Sequence, residues 1–208
     1  KGAVKLHLLL DHAGYLPTFL LITDGKHHDV RVAQRLDLPA GSIVAMDRGY
    51  NDYRLFGRWT EDGVYFVTRL KSNAAYRVVE ERQPPQNSGV ISDLIIELTG
   101  RKAQQDCPHR LRCIKYLDPD TGAIYVFLTN HLGFGPTTIA AIYKDRWQIE
   151  LFFKALKQNL KVKTFVGTSA NALRTQIWTA LIAMLLLKYL QFRSTLGWAL
   201  SNLVALLR

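Results

Sequence analysis

An α/β fold is predicted from three features of the chain. The order strand, strand, helix, strand leads up to position 47. The run "SIVAMD" is apolar at successive positions, in the manner of a strand covered on both faces, and helical periodicity dominates the last third. Between these parts lies a stretch of β-like runs and turn dipeptides, expected as an all-β insertion. At 208 residues the chain can bury one substantial core, or a core with a modest insertion. A composition 48% apolar and 21% charged is globular rather than disordered.

The first two strands are read at Val4 to Leu10 and Tyr15 to Thr23, joined by "DHAG", where Gly14 suits a hairpin turn. After "DGKHHD", Val30 to Leu36 reads as a short helix ending before Pro39. "SIVAMD" is the next strand. Gly49 permits the sharp exit after Asp47, Asn51 is placed to cap a helix to about Thr60, and Asp62-Gly63 closes it. "VYFVTRLK" follows as a strand.

From Ser72 the texture changes, with Pro84 and Pro85 and then β runs at Val90 to Leu98, Leu111 to Leu117 and Ile124 to Leu128. The expected division is therefore 1–71 as the first part of the main domain, 72–132 as the β-rich insertion and 133–208 as its helical remainder. Pro136 suits a first helical turn, and Ser169 caps a long apolar helix to about Phe192. A last helix is expected from Thr195 onward. The run Trp178 to Leu187 is too short to span a bilayer and reads as a buried core helix.

The stretch "YKDRWQIELFFKALKQNL", from Tyr143 to Leu160, reads as a continuous helix with two rows. At about 100° per residue, Tyr143, Arg146, Glu150, Lys154 and Lys157 fall within roughly 80° of arc, and Ile142, Ile149, Phe152, Phe153, Leu156 and Leu160 occupy the adjoining sector. A mixed charged face is ordinarily a solvated one, with Arg146/Glu150 and Glu150/Lys154 as i,i+4 pairs.

Charge points further. Lys and Arg number 27 against 17 Asp and Glu, a formal +10, which attracts a polyanion. Nucleic acid is the first partner to consider, and no polybasic block or lipidation motif supports a membrane surface. Cys107 and Cys113 sit in "CPHRLRC" with His109; zinc would need a fourth ligand and a more usual spacing, so reduced thiols of a cytoplasmic protein are expected.

Asp47 is the leading acidic candidate, because ligands of open α/β sheets bind beyond the carboxyl ends of the strands. It could equally cap the following turn. Glu150 is the second. Carboxylates from a strand end and a helix suit Mg²⁺, a hard cation that takes oxygen ligands, in a basic surround that brings phosphodiester to it. Arg48, Arg69 and Lys71 flank this place near strand ends, and Lys161 and Lys163 extend the basic surface beyond the helix. Trp147 and Trp178 could stack on a displaced base, although packing is the simpler role.

The spacing Y-x-x-R-x-x-x-E-x-x-x-x-x-x-K, met by Tyr143, Arg146, Glu150 and Lys157, resembles the YREK signature of DDE transposases of bacterial insertion sequences, the insertion-sequence-four (IS-four) family. "MDRGYND" around Asp47 is similar to that family's second catalytic aspartate segment. The resemblance implies a ribonuclease-H-like (retroviral-integrase-like) mixed sheet with helices, interrupted by the insertion. It implies two Mg²⁺ ions, or Mn²⁺ in their place, with Asp47 and Glu150 as catalytic metal ligands. Tyr143, Arg146 and Lys157, with Lys154 and Arg48, would contact double-stranded DNA at transposon ends and target. The activity implied is end cleavage and strand transfer, in a paired-end dimer, in the bacterial cytoplasm at the nucleoid.

In that family the first aspartate lies on the first strand, just ahead of a segment like "KGAVKLH", with which this chain begins. The first strand is accordingly expected to be missing and the fragment inactive alone. Asp11, Asp24 and Asp29 read as turn residues rather than substitutes, and His27 and His28 as a solvated pair. The alternatives are a non-catalytic DNA-binding remnant of a transposase and a ribonuclease-H-like nuclease.

Overall fold

The computed structural model describes residues 4–26, 28–159 and 169–195, together with Asn202. Along the chain come β1 (Val4–Leu10), β2 (Pro17–Asp24), α1 (Asp29–Ala33), β3 (Ile43–Ala45), a 3₁₀ turn (Arg48–Tyr50), α2 (Tyr53–Glu61), β4 (Tyr65–Arg69) and β5 (Tyr76–Arg82). Then follow β6 (Val90–Leu98), α3 (Arg101–Asp106), β7 (Leu111–Leu117), β8 (Ile124–Thr129), α4 (Pro136–Asp145), α5 (Gln148–Asn159) and α6 (Ala170–Arg193). They form two compact units, Lys1–Gly25 with Gln148–Arg208, and Lys26–Trp147. The expected helix after Thr195, together with His27, Lys161 and Lys163, lies outside the described residues.

In the first unit β1 and β2 pair antiparallel, from Val4 opposite Asp24 to Leu10 opposite Pro17. Alternation sends Leu6, Leu8 and Leu10 to one face, where they meet Phe152 and Leu156 of α5 and Ile177, Leu181 and Met184 of α6. His7 is buried and bonds to Thr23 Oγ1 at 2.9 Å. The turn uses Tyr15 at φ 50°, not Gly14, for its left-handed residue. The Lys188 ammonium on α6 donates to the carbonyls of Gly14 and Tyr15 (3.3 and 3.0 Å), and these bonds hold the turn in place of a glycine's freedom.

Ser169 caps α6, its Oγ accepting from Ala172 N–H at 3.1 Å. The expectation of a buried core helix is corrected. Ile177, Ala180, Leu181, Met184 and Leu187 are buried, but Trp178, Ile182, Leu186, Tyr189 and Phe192 are exposed, so α6 is covered along one side. Its 24 residues are long and apolar enough to cross a membrane by length and composition, and its covered side packs on the β1–β2 hairpin and α5.

The second unit holds a six-stranded mixed sheet in the order β3-β4-β8-β7-β6-β5. β3 runs parallel to β4, with Val44 opposite Phe66, and the other neighbours are antiparallel. The strands of the 72–132 segment are thus hydrogen-bonded into the same sheet as β3 and β4. β3, expected to be covered on both faces, is buried only at Val44. Among the described residues it has a ladder partner on one side only, and three residues suffice for it because Met46 N–H still reaches Val67 O at 3.0 Å.

Two elements of this segment escape the expected pattern. β5 is exposed at nearly every position and so lacks alternation, and α3 is a six-residue helix within a stretch read as all-β. The α2 cap is Asp52, whose Oδ1 accepts from Leu55 N–H at 2.9 Å, rather than Asn51. Gly63, at φ 71°, ends that helix as expected. Phe56 of α2 stacks on Phe66 of β4 with centroids 4.0 Å apart, anchoring the helix to the sheet.

A buried ion pair crosses β6 and β7. Arg112 donates to both oxygens of Asp93, at 2.7 and 2.6 Å, with each side chain 3% exposed. The same guanidinium donates to the carbonyl of Phe134, immediately before Gly135, which precedes α4. Pro136 occupies the first turn of α4 as the sequence suggested.

The continuous helix expected from Tyr143 to Leu160 is broken. α4 ends at Asp145 and α5 begins at Gln148, with Arg146 and Trp147 in a tight turn whose N–H groups donate three residues back to Tyr143 O and Lys144 O.

Candidate functional site

Asp47 leaves the end of β3 and caps the 3₁₀ turn, its Oδ1 accepting from Gly49 N–H at 2.9 Å. Tyr50 N–H donates to Asp47 O and Asn51 N–H to Arg48 O, at 3.0 and 3.2 Å, closing the turn. The side chains of Asp47 and Arg48 are exposed. Asp47 therefore caps the local turn, as one of the two readings had it, and its side chain is open to solvent.

A second carboxylate approaches the same turn. A Cβ placed on Gly49 would lie 3.5 Å from Asp47 Oδ1 and 3.8 Å from Asp29 Oδ2. Tyr50 responds to both. Its phenol is pushed up to about 12 by burial first and then by the negative charges of Asp29 and Asp47. Sequence reasoning treated Asp29 as a turn residue; it is the first residue of α1, and tertiary structure alone brings it to Gly49.

Asn51 braces the turn from the other side. Its Nδ2 donates to Arg69 O at 2.8 Å and its Oδ1 accepts from Thr68 Oγ1 at 2.7 Å, while its own carbonyl accepts from Lys71 Nζ at 3.2 Å. The Arg69 guanidinium stands 5.4 Å above the Tyr125 ring.

Tyr143 was expected on a polar row, and it lies instead in the core with Phe127, Ile139 and Val67, 7% exposed. Its ring centroid is 5.0 Å from Phe127 and 6.5 Å from Tyr125, and the Arg146 guanidinium sits 5.5 Å from it. Burial pushes the Tyr143 phenol up and Asp47 adds to this, while Arg146 and Arg69 pull it down. The hydroxyl is buried and makes no hydrogen bond of ordinary geometry. The charges of Asp47, Arg69 and Arg146 thus each reach the Tyr143 phenol in the second unit.

In the first unit Glu150 is the third residue of α5, in the first turn, where a carboxylate suits the positive end of the helix dipole. Lys154 and Lys157, at i+4 and i+7 from it, are exposed, and Phe152 and Leu156 are buried. That part of the expected row survives within α5. The break at Arg146 and Trp147 separates it from Tyr143 on α4.

The remaining candidates stand elsewhere. Asp11 and Asp24 are exposed at the ends of the hairpin strands, and His28 is exposed just ahead of α1. Cys107 and Cys113 are buried free thiols, each pushed up to about 11 by burial. Trp147 is exposed. Among the described residues no three His, Cys, Asp or Glu side chains gather closely enough to hold a metal ion.

Comparison with known proteins adds the family. A model of the transposase DDE domain matches residues 1–186. The chain is similar to "Putative transposase y4zB" of Sinorhizobium fredii, 36% identical over 193 residues, which cover 89% of this chain and 52% of that protein. It is similar also to "Probable transposase for insertion sequence element IS5377" of Geobacillus stearothermophilus, 31% identical, covering 91% and 50%. A third is "Putative transposase for insertion sequence element IS4SA" of Synechocystis, 29% identical, covering 84% and 49%. The chain spans about half the length of these curated relatives. With the domain model running from residue 1 to residue 186, the chain belongs to the transposase DDE domain family.

Proposed function

We propose that this chain supplies part of the catalytic body of a DNA transposase of the IS-four type, in which Asp47 and Glu150 hold Mg²⁺, with Mn²⁺ as the alternative ion. The observation that carries this reading is the exposed Asp47 carboxylate on a braced turn, whose charge acts on the Tyr143 phenol along with those of Arg146 and Arg69, within a chain matched by the transposase DDE domain. The body is read as ribonuclease-H-like, with 1–71 and 133–208 as its two parts and 72–132 as the insertion.

The donor set fits a hard cation in chemistry but not in number. Asp47 and Glu150 offer carboxylate oxygens, and no group of three ligands is present among the described residues, so this chain provides part of the shell. When bound, such ions activate an oxygen nucleophile and stabilise the departing oxygen of a phosphodiester. The residues of the chain do the positioning. Arg48, next to Asp47 in sequence, and Arg146, beside the Tyr143 ring, receive phosphate, and Lys154 and Lys157 receive it along the exposed side of α5. Tyr143, buried against Phe127, presents its ring to the Arg146 guanidinium. The partner is double-stranded DNA, transposon end and target, brought together by a paired-end dimer at the bacterial nucleoid.

The decisive experiment is Glu150→Gln in the complete protein carrying this chain, assayed for strand transfer and for binding to transposon-end DNA. Loss of transfer by at least about a hundredfold with binding retained supports the reading. Unchanged transfer ends it.

A further inference from the structure

Asn51 follows the site's carboxylate by four residues and stands where a helix cap is expected, yet Asp52 performs the capping. Its carboxamide is therefore available for another use, and both ends of it are engaged. Nδ2 donates to the Arg69 carbonyl (2.8 Å) and Oδ1 accepts from the Thr68 hydroxyl (2.7 Å). A carboxylate could not donate to that carbonyl, and an aliphatic side chain could do neither. Thr68 is fully buried on β4, so the loss of its acceptor would leave a hydroxyl stranded in the sheet. β4 is itself fixed on both sides, by β3 and by β8, with Thr68 opposite Leu128 and Arg69 opposite Phe127.

From Asn51 the tie passes to Asp47 through a turn with little slack. Asn51 N–H is bonded to Arg48 O, Tyr50 N–H to Asp47 O, and Gly49 N–H to the Asp47 carboxylate. Lys71 Nζ adds a bond to the Asn51 carbonyl. A displacement of Asn51 from β4 is thereby passed to the Asp47 side chain.

We infer that Asn51, locked to Thr68 and the Arg69 carbonyl, is a positioning residue that orients Asp47 for divalent-cation binding. The inference rests on the reading of Asp47 as a metal ligand. Partners of ligating carboxylates typically change metal affinity by about 10- to 100-fold when lost, with the ligand itself untouched.

The test is Mn²⁺ binding to the complete protein without DNA, followed by electron paramagnetic resonance, for wild type, Asn51→Ala, Thr68→Val and the double variant, with Asp47→Asn beside them. Asn51→Ala is expected to weaken Mn²⁺ by about 10- to 100-fold and Thr68→Val by less. The double variant should be no worse than Asn51→Ala, since both act through one bond. The melting midpoint of Asn51→Ala should fall modestly, because Thr68 loses its acceptor. Affinity for transposon-end DNA without metal, at a temperature where the variant is folded, should stay near wild type, and saturating Mn²⁺ should restore strand transfer to Asn51→Ala but not to Asp47→Asn.

Wild-type Mn²⁺ affinity in both Asn51→Ala and Thr68→Val, with Asp47→Asn impaired, overturns the role of Asn51 and leaves the metal reading standing. The role is equally overturned by a loss no larger than the unfolded fraction of each variant. Undiminished binding in Asp47→Asn overturns the metal reading, and the inference falls with it.

Discussion

The two ends of the six-stranded sheet handle charge in opposite ways. At the β5-β6-β7 end, charges are neutralised by one another: Arg112 with Asp93 in the interior, Arg77 and Arg110 with Glu97 and Arg82 with Glu80 at the surface. At the β3-β4 end the bracing is mostly by neutral groups, an amide, a hydroxyl and peptide N–H groups, and the Asp47 and Arg48 side chains remain exposed. Charge at one end is committed to holding strands together; at the other it stays at the surface. Stability and function should therefore separate along the sheet.

The largest effect should come from the interior pair. Arg112→Met leaves Asp93 buried and uncompensated and should lower the unfolding free energy by about 3–5 kcal/mol in urea titration. The double replacement Arg112→Met, Asp93→Leu should recover most of it. Asp47→Asn should do the reverse, reducing strand transfer at least about a hundredfold while the urea midpoint stays put. A large stability loss in Asp47→Asn would break the comparison.

The buried thiols give a smaller, pH-confined effect. Cys113 ionises near 9 in the unfolded chain and at about 11 when folded. Between those values the unfolded state has released its proton and the folded state has not, so the contribution is full below pH 9 and is lost as pH rises through 11. Comparing the melting midpoints of Cys113→Ala and wild type from pH 8 to 11 should show the gap between them closing. Arg77→Ala, which removes an exposed partner of Glu97, should shift no midpoint resolvably, although it should relieve the lowering of the Glu97 pKa that Arg77 chiefly causes.

Features carried by local physics were legible in the sequence. Ser169, Pro136 and Gly63 mark helix ends where such residues satisfy or omit a backbone bond, and the alternating Leu6, Leu8 and Leu10 declare a covered strand face. What failed was decided by tertiary contact. No Gly or Pro between Tyr143 and Leu160 announces the break at Arg146, and β5, exposed along its length, offers no alternation to read. Asn51 and Asp52 are equivalent candidates for a cap until Thr68 and the Arg69 carbonyl claim the first. The residues proposed for the candidate site rest on resemblance. The burial of Tyr143 against Phe127 and the approach of Asp29 to Gly49 were not, because partners so distant in sequence leave no periodic trace.

Arg112 belongs to the 72–132 segment, yet it grips the carbonyl just ahead of α4, the helix that bears Tyr143. The segment is therefore no removable ornament. A chimera that exchanges it with a relative's must import an arginine and its aspartate as a matched couple, or α4 would start from an unanchored point.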